Sequence, residues 1–503
     1  MSHLQRNYQL ISMLNVERET ANILKWFALV SSIDRGSGRE AAMADKIVTI
    51  AKNLNLNWKR DEVNNVVVYK PATPGYESSP SICFQAHIDM VAIGQDGEDF
   101  DTSTIRFVAK QGRLYADNTT LGADNGIGVA FMLSIMEGGM PHGPLEFLFT
   151  TDEENGLTGA KFVDSAWVNS QFIINLDSEN WGEVTIGCAG GGRINTAIPI
   201  DSHSLIGVSD PSTKFSIELS NLLGGHSGDD INKGHANAII ELAVISLNLL
   251  QDFPSLRLLS FDGGSRSNVI PSQCMATFIV YDDEPDLLFR IKLSVGANQD
   301  SLRARFKAET KLTLTISELE KAMVGTCFSQ EFAWDLLRIL HRIPNGVLAV
   351  NTDDPSMVQT SNNIGVVETK ADQIAITTLH RSSSNGDLLK TKEEILRILS
   401  DYPSVEVAIG NEYSAWEPQY GSKLLEYIQN SFAGFTGSEI KAIVIHGGLE
   451  CAHFISKWPT AELVSIGPNI KQIHSQNEYV ELDGISPFWR WLLKLMAEIN
   501  QLK

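Results

Sequence analysis

The sequence predicts an α/β layered domain interrupted by an α+β insert, and three observations predict it. Over the first 190 residues short apolar runs that read as strands alternate with stretches of helical apolar spacing. The character changes at Gly190-Gly191-Gly192, after which strands dominate and only two or three helices intervene. Beyond Trp416-Glu417-Pro418 the helix–strand alternation returns. A chain of 503 residues is also too long for one ordinary core, so two domains are expected. The boundaries read as 1–194 and 411–503 for the two parts of the layered domain, with 195–410 as the insert.

In the first part, residues 16–31 and 38–54 show helical apolar spacing, the second entered through a Ser-Gly turn. Apolar runs at 65–69, 81–86, 145–150 and 172–176 read as strands, and 126–137 as a helix between the second and third of them. The opening MSHLQRNYQLISMLN is mixed polar and apolar and gives no secretory signal. In the insert, KFSIELSNL and CMATFIVYD alternate as half-buried strands, while HANAIIELAVISLNLLQ reads as a strong helix. The last part should hold a helix over 422–432, a strand over 442–446 and an amphipathic helix from Pro487. There is no internal repeat and no low-complexity segment.

Bulk properties narrow the function classes. A hydrophobic fraction of 43% and a charged fraction of 20% are those of a globular enzyme. The formal charge of −21 argues against nucleic-acid and anionic-membrane partners, because both require a cationic face. No apolar run reaches the length that spans a bilayer. Five scattered cysteines (Cys83, Cys188, Cys274, Cys327, Cys451) form no CxxC pair, which suggests a reducing compartment and a cytoplasmic protein.

Several short segments carry chemistry. In SICFQAHIDMV an apolar strand leads into His87-Ile88-Asp89, and period-two geometry puts His87 and Asp89 on one face. There a carboxylate can orient an imidazole that ligates a metal. In Gly122-Ala123-Asp124-Asn125-Gly126 the glycines let the backbone turn sharply and present Asp124. The strand LEFLFT ends in Asp152-Glu153-Glu154, three adjacent carboxylates that need cations or solvent to be tolerated. QFIINLDSEN ends a strand in Asp177, and His474 stands far downstream in the polar loop SIGPNIKQIHSQNE. Each piece alone has an ordinary explanation: a buried polar pair, an N-cap aspartate, an acidic loop, an exposed histidine. In this order they supply two histidines, three carboxylates and a spare glutamate. That is the inventory two divalent ions need when they share a bridging carboxylate. Such ligands favour zinc and also admit manganese or cobalt.

At these residues the sequence resembles the co-catalytic zinc family of aminoacylases, carnosinases and glutamate-type carboxypeptidases, and within it the dipeptidases that act on Xaa-His. The likeness runs through QAHIDMV, GCAGGGR, GGHSGDDINKGHANA, SRSNVIP, IHGGLEC and GPNIKQIHS. The resemblance implies a phosphorylase/hydrolase-like zinc-peptidase domain, with a mixed, parallel-rich sheet between helices, plus an inserted lid, commonly in a homodimer. It implies that His87 and Asp177 hold one zinc, Glu154 and His474 the other, and that Asp124 bridges them. Glu153 matches the general base, and Asp89 the residue that orients His87. His226, in Gly225-His226-Ser227-Gly228, matches a lid histidine that in dimeric relatives reaches the partner subunit's active site. Asn268 and Arg381 match positions that bind the substrate's carboxylate end, a task suited to a guanidinium. Glu450 is a candidate contact for the free amino end. Two segments depart from the family pattern: Gly234-His235-Ala236-Asn237-Ala238 has histidine where arginine is common, and Arg381 stands in HRSSSNGD.

The function expected from all this is metal-dependent hydrolysis of unblocked dipeptides, Xaa-His among them, with broad specificity. An N-acyl amino acid deacylase or carboxypeptidase on the same scaffold is the rival enzyme. A metal-stabilised binding protein is the non-catalytic alternative.

Overall fold

A computed structural model describes residues 2–200, 205–207, 212–281, 286–319, 325–352, 354–402 and 404–501. The chain forms two compact units. One comprises Met1–Cys188, Trp416–Ile445 and Leu449–Lys503; the other comprises Ala189–Ala415 with His446–Gly448. The division falls at Cys188, earlier than the 194 read from sequence, because Gly190–Pro199 is one unbroken strand of the second unit's sheet. The return crosses at Ala415, since Tyr413 still pairs with Gly191. Here backbones crowd: a Cβ on Gly190 would lie 2.4 Å from the Ala415 nitrogen, so only glycine fits. Cys188 and Trp416, both in the first unit, then exchange backbone hydrogen bonds of 3.0 and 3.1 Å.

The first unit is built on eight strands: β1 (Asn57–Arg60), β2 (Val66–Lys70), β3 (Ile82–His87), β4 (Leu145–Thr150), β5 (Phe172–Asn175), β6 (Glu183–Cys188), β7 (Lys441–Ile445) and β8 (Glu462–Ser465). Their order is β1-β2-β4-β3-β5-β8-β6-β7. The pairs β3–β4, β3–β5, β5–β8 and β6–β7 are parallel, and β1–β2, β2–β4 and β6–β8 antiparallel. The expected mixed, parallel-rich sheet is therefore present. β3 and β4 are buried along their whole length, as strands covered on both faces must be. Helices Arg18–Val30, Ala41–Asn53, Ala123–Glu137, Lys423–Thr436 and Leu482–Ile499 supply the surrounding apolar residues, among them Phe27, Ile47, Phe131, Phe432 and Trp491.

Two elements differ from the sequence reading. The opening residues form a helix, His3–Met13, closed by a reciprocal capping box between Ser2 and Gln5. Its Asn7 is buried, donating to the Ile105 carbonyl and accepting from the Phe107 amide. The last helix starts at Leu482, with Pro487 inside its early turns rather than at its start. A small second sheet, Ile470–Lys471, Tyr479–Glu481, Arg113–Ala116 and Phe107–Lys110, anchors the late segment that contains His474.

The second unit has its own core and a largely antiparallel sheet that includes Ser212–Ser220, Cys274–Tyr281, Val358–Thr369 and Gln373–Ser382. The two segments expected as strands are Ser212–Ser220 and Cys274–Tyr281; Asp282, the last residue of the second expectation, lies outside the described residues. The expected helix is Ala238–Asp252, capped by the Asn237 side chain on the amides of Ile239 and Ile240. No helix of the described residues is long and apolar enough to cross a membrane.

Candidate metal centre

The register of three adjacent parallel strands brings the acidic pieces together. His87 faces Thr150 across β3–β4, so Asp152-Glu153-Glu154 follow directly beyond it. Gln85 faces Asn175 across β3–β5, which sets Asp177 beside His87. All three lie where the strands end at their carboxyl termini, the usual ligand position of such sheets.

Asp124 arrives from a different direction. It opens the helix Ala123–Glu137, after Gly122 turns the chain at φ 67°. Asp124 and Asn125 are not themselves helical, and the peptide between them is cis. His474 comes from the loop between Lys471 and Tyr479 and holds a left-handed φ of 57°.

The resulting contacts have a definite form. His87 Nε2 lies 3.0 Å from Asp124 Oδ1 and 3.3 Å from Asp177 Oδ1. His474 Nε2 lies 3.3 Å from Asp124 Oδ2 and 2.8 Å from Glu154 Oε2. Each oxygen of Asp124 thus faces a different histidine. Three groups have their donor atoms within 4.8 Å of one another: His87–Asp124–Asp177, Asp124–Glu154–His474 and His87–Glu153–Glu154. The remaining oxygen of Glu154 is buried without a partner among the described residues. Two nitrogen and several carboxylate donors around a shared aspartate, with one buried oxygen unsatisfied, fit two divalent ions of the zinc or manganese type.

Electrostatics describe a site that wants cations. Burial opposes charge on His87, yet Asp177, Asp124 and Asp89 outweigh it and hold the ring well above the ordinary histidine range. Burial likewise opposes charge on His474, but Asp124 and Glu154 push it up to about 12. Asp124 is pulled below the usual carboxylate range despite its burial, by bonds from His474 and His87. Burial pushes Glu154 up to about 7, aided by Asp124, and raises Asp177. Glu153 is driven well above the carboxylate range by burial, partly offset by His87, with Glu154, Asp177 and Glu450 adding to the rise.

Asp89 does more than stand behind His87. Its Oδ1 lies 3.3 Å from His87 Nδ1, and its carboxylate accepts hydrogen bonds from Ser37 Oγ and from the backbone amides of Glu153 and Glu154. One fully buried side chain fixes both the imidazole and the backbone of the adjacent acidic pair.

Two structural residues were missed by sequence reasoning. Glu478 is buried and accepts four backbone amides, from Leu121 (2.8 Å), Gly122 (2.8 Å), Ala123 (2.7 Å) and Asp124 (3.2 Å). These are amides at a helix start that no turn of the helix can satisfy. Arg35, 0% exposed, donates to the carbonyls of Ile88, Asp89 and Gly122. Only the short distance from His474 to Glu478 hinted at the first; nothing local marked the second.

The other expected site residues are placed as follows. Glu450 is 0% exposed; its Oε2 accepts from Gln85 and Thr150, whose neighbours on the same strands lead to His87 and Glu153. Burial pushes it up to about 8. In the second unit, Arg381 is buried with its Nε unpartnered among the described residues. His226 Nδ1 lies 3.1 Å from Asp229 Oδ2, and the Asn268 carbonyl accepts from the Ser227 amide. His446, not singled out from sequence, joins this unit: its Nε2 is 2.7 Å from Ser361 Oγ, and burial followed by the Arg381 charge lowers it to about 3.

The model of peptidase family M20/M25/M40 matches residues 83–498. The cytosol non-specific dipeptidase of Escherichia coli is 33% identical over 481 residues, covering 94% of this chain and 96% of that protein. The crystal structure of aminoacylhistidine dipeptidase from Vibrio alginolyticus superposes with a TM-score of 0.81 at 31% identity, over 97% of this chain and 98% of the other. Human carnosine dipeptidase 1 shares the fold at 13% identity and a TM-score of 0.50, over 99% of this chain and all of the other.

Proposed function

We propose that this chain, which belongs to peptidase family M20/M25/M40, hydrolyses unblocked dipeptides at two divalent ions, with zinc the best fit. The observation that carries the reading is Asp124, whose two oxygens face His87 on one side and His474 on the other. His87 and Asp177 would hold one ion, Glu154 and His474 the second, with Asp124 shared. Ions held this way lower the pKa of water and polarise a carbonyl.

The chain's own residues do the rest. Glu153 takes the proton of the attacking water and returns it to the departing amine. Its raised proton affinity suits a group that must accept that proton, and Asp89 fixes its backbone amide. Asp89 also keeps the His87 ring oriented, with Nε2 toward the ligand cluster. Arg381, whose buried Nε has no partner among the described residues, and Asn268 would take the substrate's C-terminal carboxylate, as the family resemblance implies. His226 serves the partner subunit's site in a homodimer by donating to the developing oxyanion. Sequence similarity to a cytosolic dipeptidase and to an aminoacylhistidine dipeptidase supports a cytoplasmic enzyme with broad dipeptide use that includes C-terminal histidine.

The decisive measurement is turnover after metal reconstitution on carnosine, Gly-His, Ala-Ala, a tripeptide and an N-acetyl amino acid. Cleavage of the dipeptides alone is expected. Hydrolysis of the N-acetyl amino acid with no cleavage of free dipeptides would replace this reading with a deacylase.

A further inference from the structure

A dipeptide presents its ammonium group one carbon away from the carbonyl that is attacked. Whatever receives that ammonium must therefore sit beside the ligand cluster. Most carboxylates there are committed. Asp89 is enclosed by Ser37 and two amides, Glu478 by four amides, and Glu40 by the amides of Gly38 and Asp152. Asp152 accepts from Asn155. Glu450, the sequence's candidate, is fully enclosed, with one oxygen bound by Gln85 and Thr150.

Glu179 differs from all of these. It lies two residues beyond Asp177, in the loop that follows β5, and its side chain is half-buried. No hydrogen bond or ion pair reaches its carboxylate from the described residues. Its backbone is nonetheless firmly held: the Glu179 carbonyl accepts from the Ile470 amide (3.1 Å) and from Lys471 Nζ (3.2 Å). Two residues on, the Trp181 amide donates to Asn469 Oδ1 at 2.8 Å. The loop is thus fastened to the segment that leads into His474. Asp177 stands two residues before it, and the loop is bonded to Ile470 and Lys471 just ahead of His474, so Glu179 lies next to both halves of the ligand cluster. Burial, aided by Asp124 and Asp177 and opposed by His474 and Lys471, raises its carboxyl to about 8.

We propose that Glu179 receives the substrate's free α-ammonium group and is the specificity residue that selects unblocked dipeptides over N-acylated amino acids. A half-buried carboxyl group on a firmly held loop, with no protein cation paired to it among the described residues, gains its charge when an ammonium is placed beside it and then makes a charge-assisted bond. An N-acyl group offers no cation and leaves the carboxylate unpaired, which disfavours it. The inference rests on the dipeptidase reading and adds the group that recognises the amino end.

The test uses the metal-loaded enzyme and Glu179→Gln, with Ala-Ala as substrate and its des-amino analogue propionyl-alanine as a competing ligand. Loss of a hydrogen bond between charged groups corresponds to roughly a 10- to 150-fold change. The variant should lose about that factor in kcat/KM on Ala-Ala, mainly through KM, while the inhibition constant of propionyl-alanine stays at its wild-type value. Glu179→Asp should recover part of the loss. Calorimetry with a phosphinic dipeptide isostere, with and without its amino group, should show the same loss for the amino form only. Equal losses for both compounds, no loss for Ala-Ala, or fewer than two ions bound by the variant would overturn the assignment. Failure of the wild-type enzyme to cleave Ala-Ala would instead bring down the dipeptidase reading itself.

Discussion

The metal centre has two halves that are held in different ways. His87, Glu153, Glu154 and Asp177 stand at the ends of three adjacent parallel strands, and their spacing is set by backbone register. Beneath them a buried network ties the strands together: Asn175 Nδ2 donates to Gln85 Oε1, and Gln85 and Thr150 both donate to Glu450. Asp124 and His474 instead come from a helix start and a loop with left-handed backbone. Their relative position depends on Glu478, which stands four residues after His474 and grips the amides from Leu121 to Asp124. The strand half is positioned by the fold as a whole, and the loop half by one carboxylate. Single substitutions should therefore separate them.

The largest effect is expected where the chemistry, rather than either half's architecture, is removed. Glu153→Gln keeps the side-chain shape and the amide that Asp89 fixes, so both ions should remain at wild-type stoichiometry by elemental analysis. Its kcat should fall by about 10²–10⁴, the usual contribution of a positioned acid–base group. Turnover near the wild-type rate would remove Glu153 from the role of base.

Next in size is the loop half. Glu478→Gln replaces two accepting oxygens with one and leaves some of the four amides unsatisfied. Groups that orient a ligand typically change metal affinity by about 10- to 100-fold. A chelator competition should show the variant losing the ion of Glu154 and His474 first, with the ion of His87 and Asp177 retained longer. Simultaneous loss of both would mean that the strand half has no independent hold.

Smaller still is the effect of metal on stability. Ions bound to the folded chain at about 100 times their dissociation constant stabilise it by about 2.7 kcal/mol. Chelation should lower the melting temperature of the transition that belongs to the first unit, which contains all three candidate donor groups found among the described residues. A second transition, if resolved by calorimetry, should not move. Equal shifts in both would show that the two units melt as one.

The same contrast explains what the sequence made legible. Apolar runs ending in His87, Asp152–Glu154 and Asp177 signal strand ends locally, because strands buried on both faces are mostly apolar and the run breaks where the polar residues begin. The parallel-rich arrangement followed from the resemblance and is the one observed. Asp124 was visible through its flanking glycines, and His474 only through the family pattern. Glu478 and Arg35 were invisible because their partners are backbone groups far away in sequence, and backbone amides leave no mark in composition. The enclosure of Glu450, a candidate contact for the amino end, was invisible for a related reason: it comes from tertiary contacts with Gln85 and Thr150. His446 was taken as a strand end, but the strand stops at Ile445 and the histidine belongs with the other unit.

The smallest expected effect probes the foundation of the strand half. Burial pushes the Glu450 carboxyl up to about 8, against about 4.3 for a free glutamate. Between those values the unfolded chain has released the proton that the folded chain still holds. Stability associated with Glu450 is therefore full at acid pH, declines as pH rises from about 4.3 to 8, and is flat beyond. Glu450→Gln removes the titrating group yet keeps an oxygen that can accept from Gln85 and Thr150. Measured by thermal melts of chelated protein, the variant should match the wild type near pH 5 and exceed it at pH 8, by about 2–4 °C for each kcal/mol. An equal loss of stability at both pH values would mean that the second oxygen of Glu450, unpartnered among the described residues, is needed for packing, and that the strand half depends on a single side chain as the loop half does.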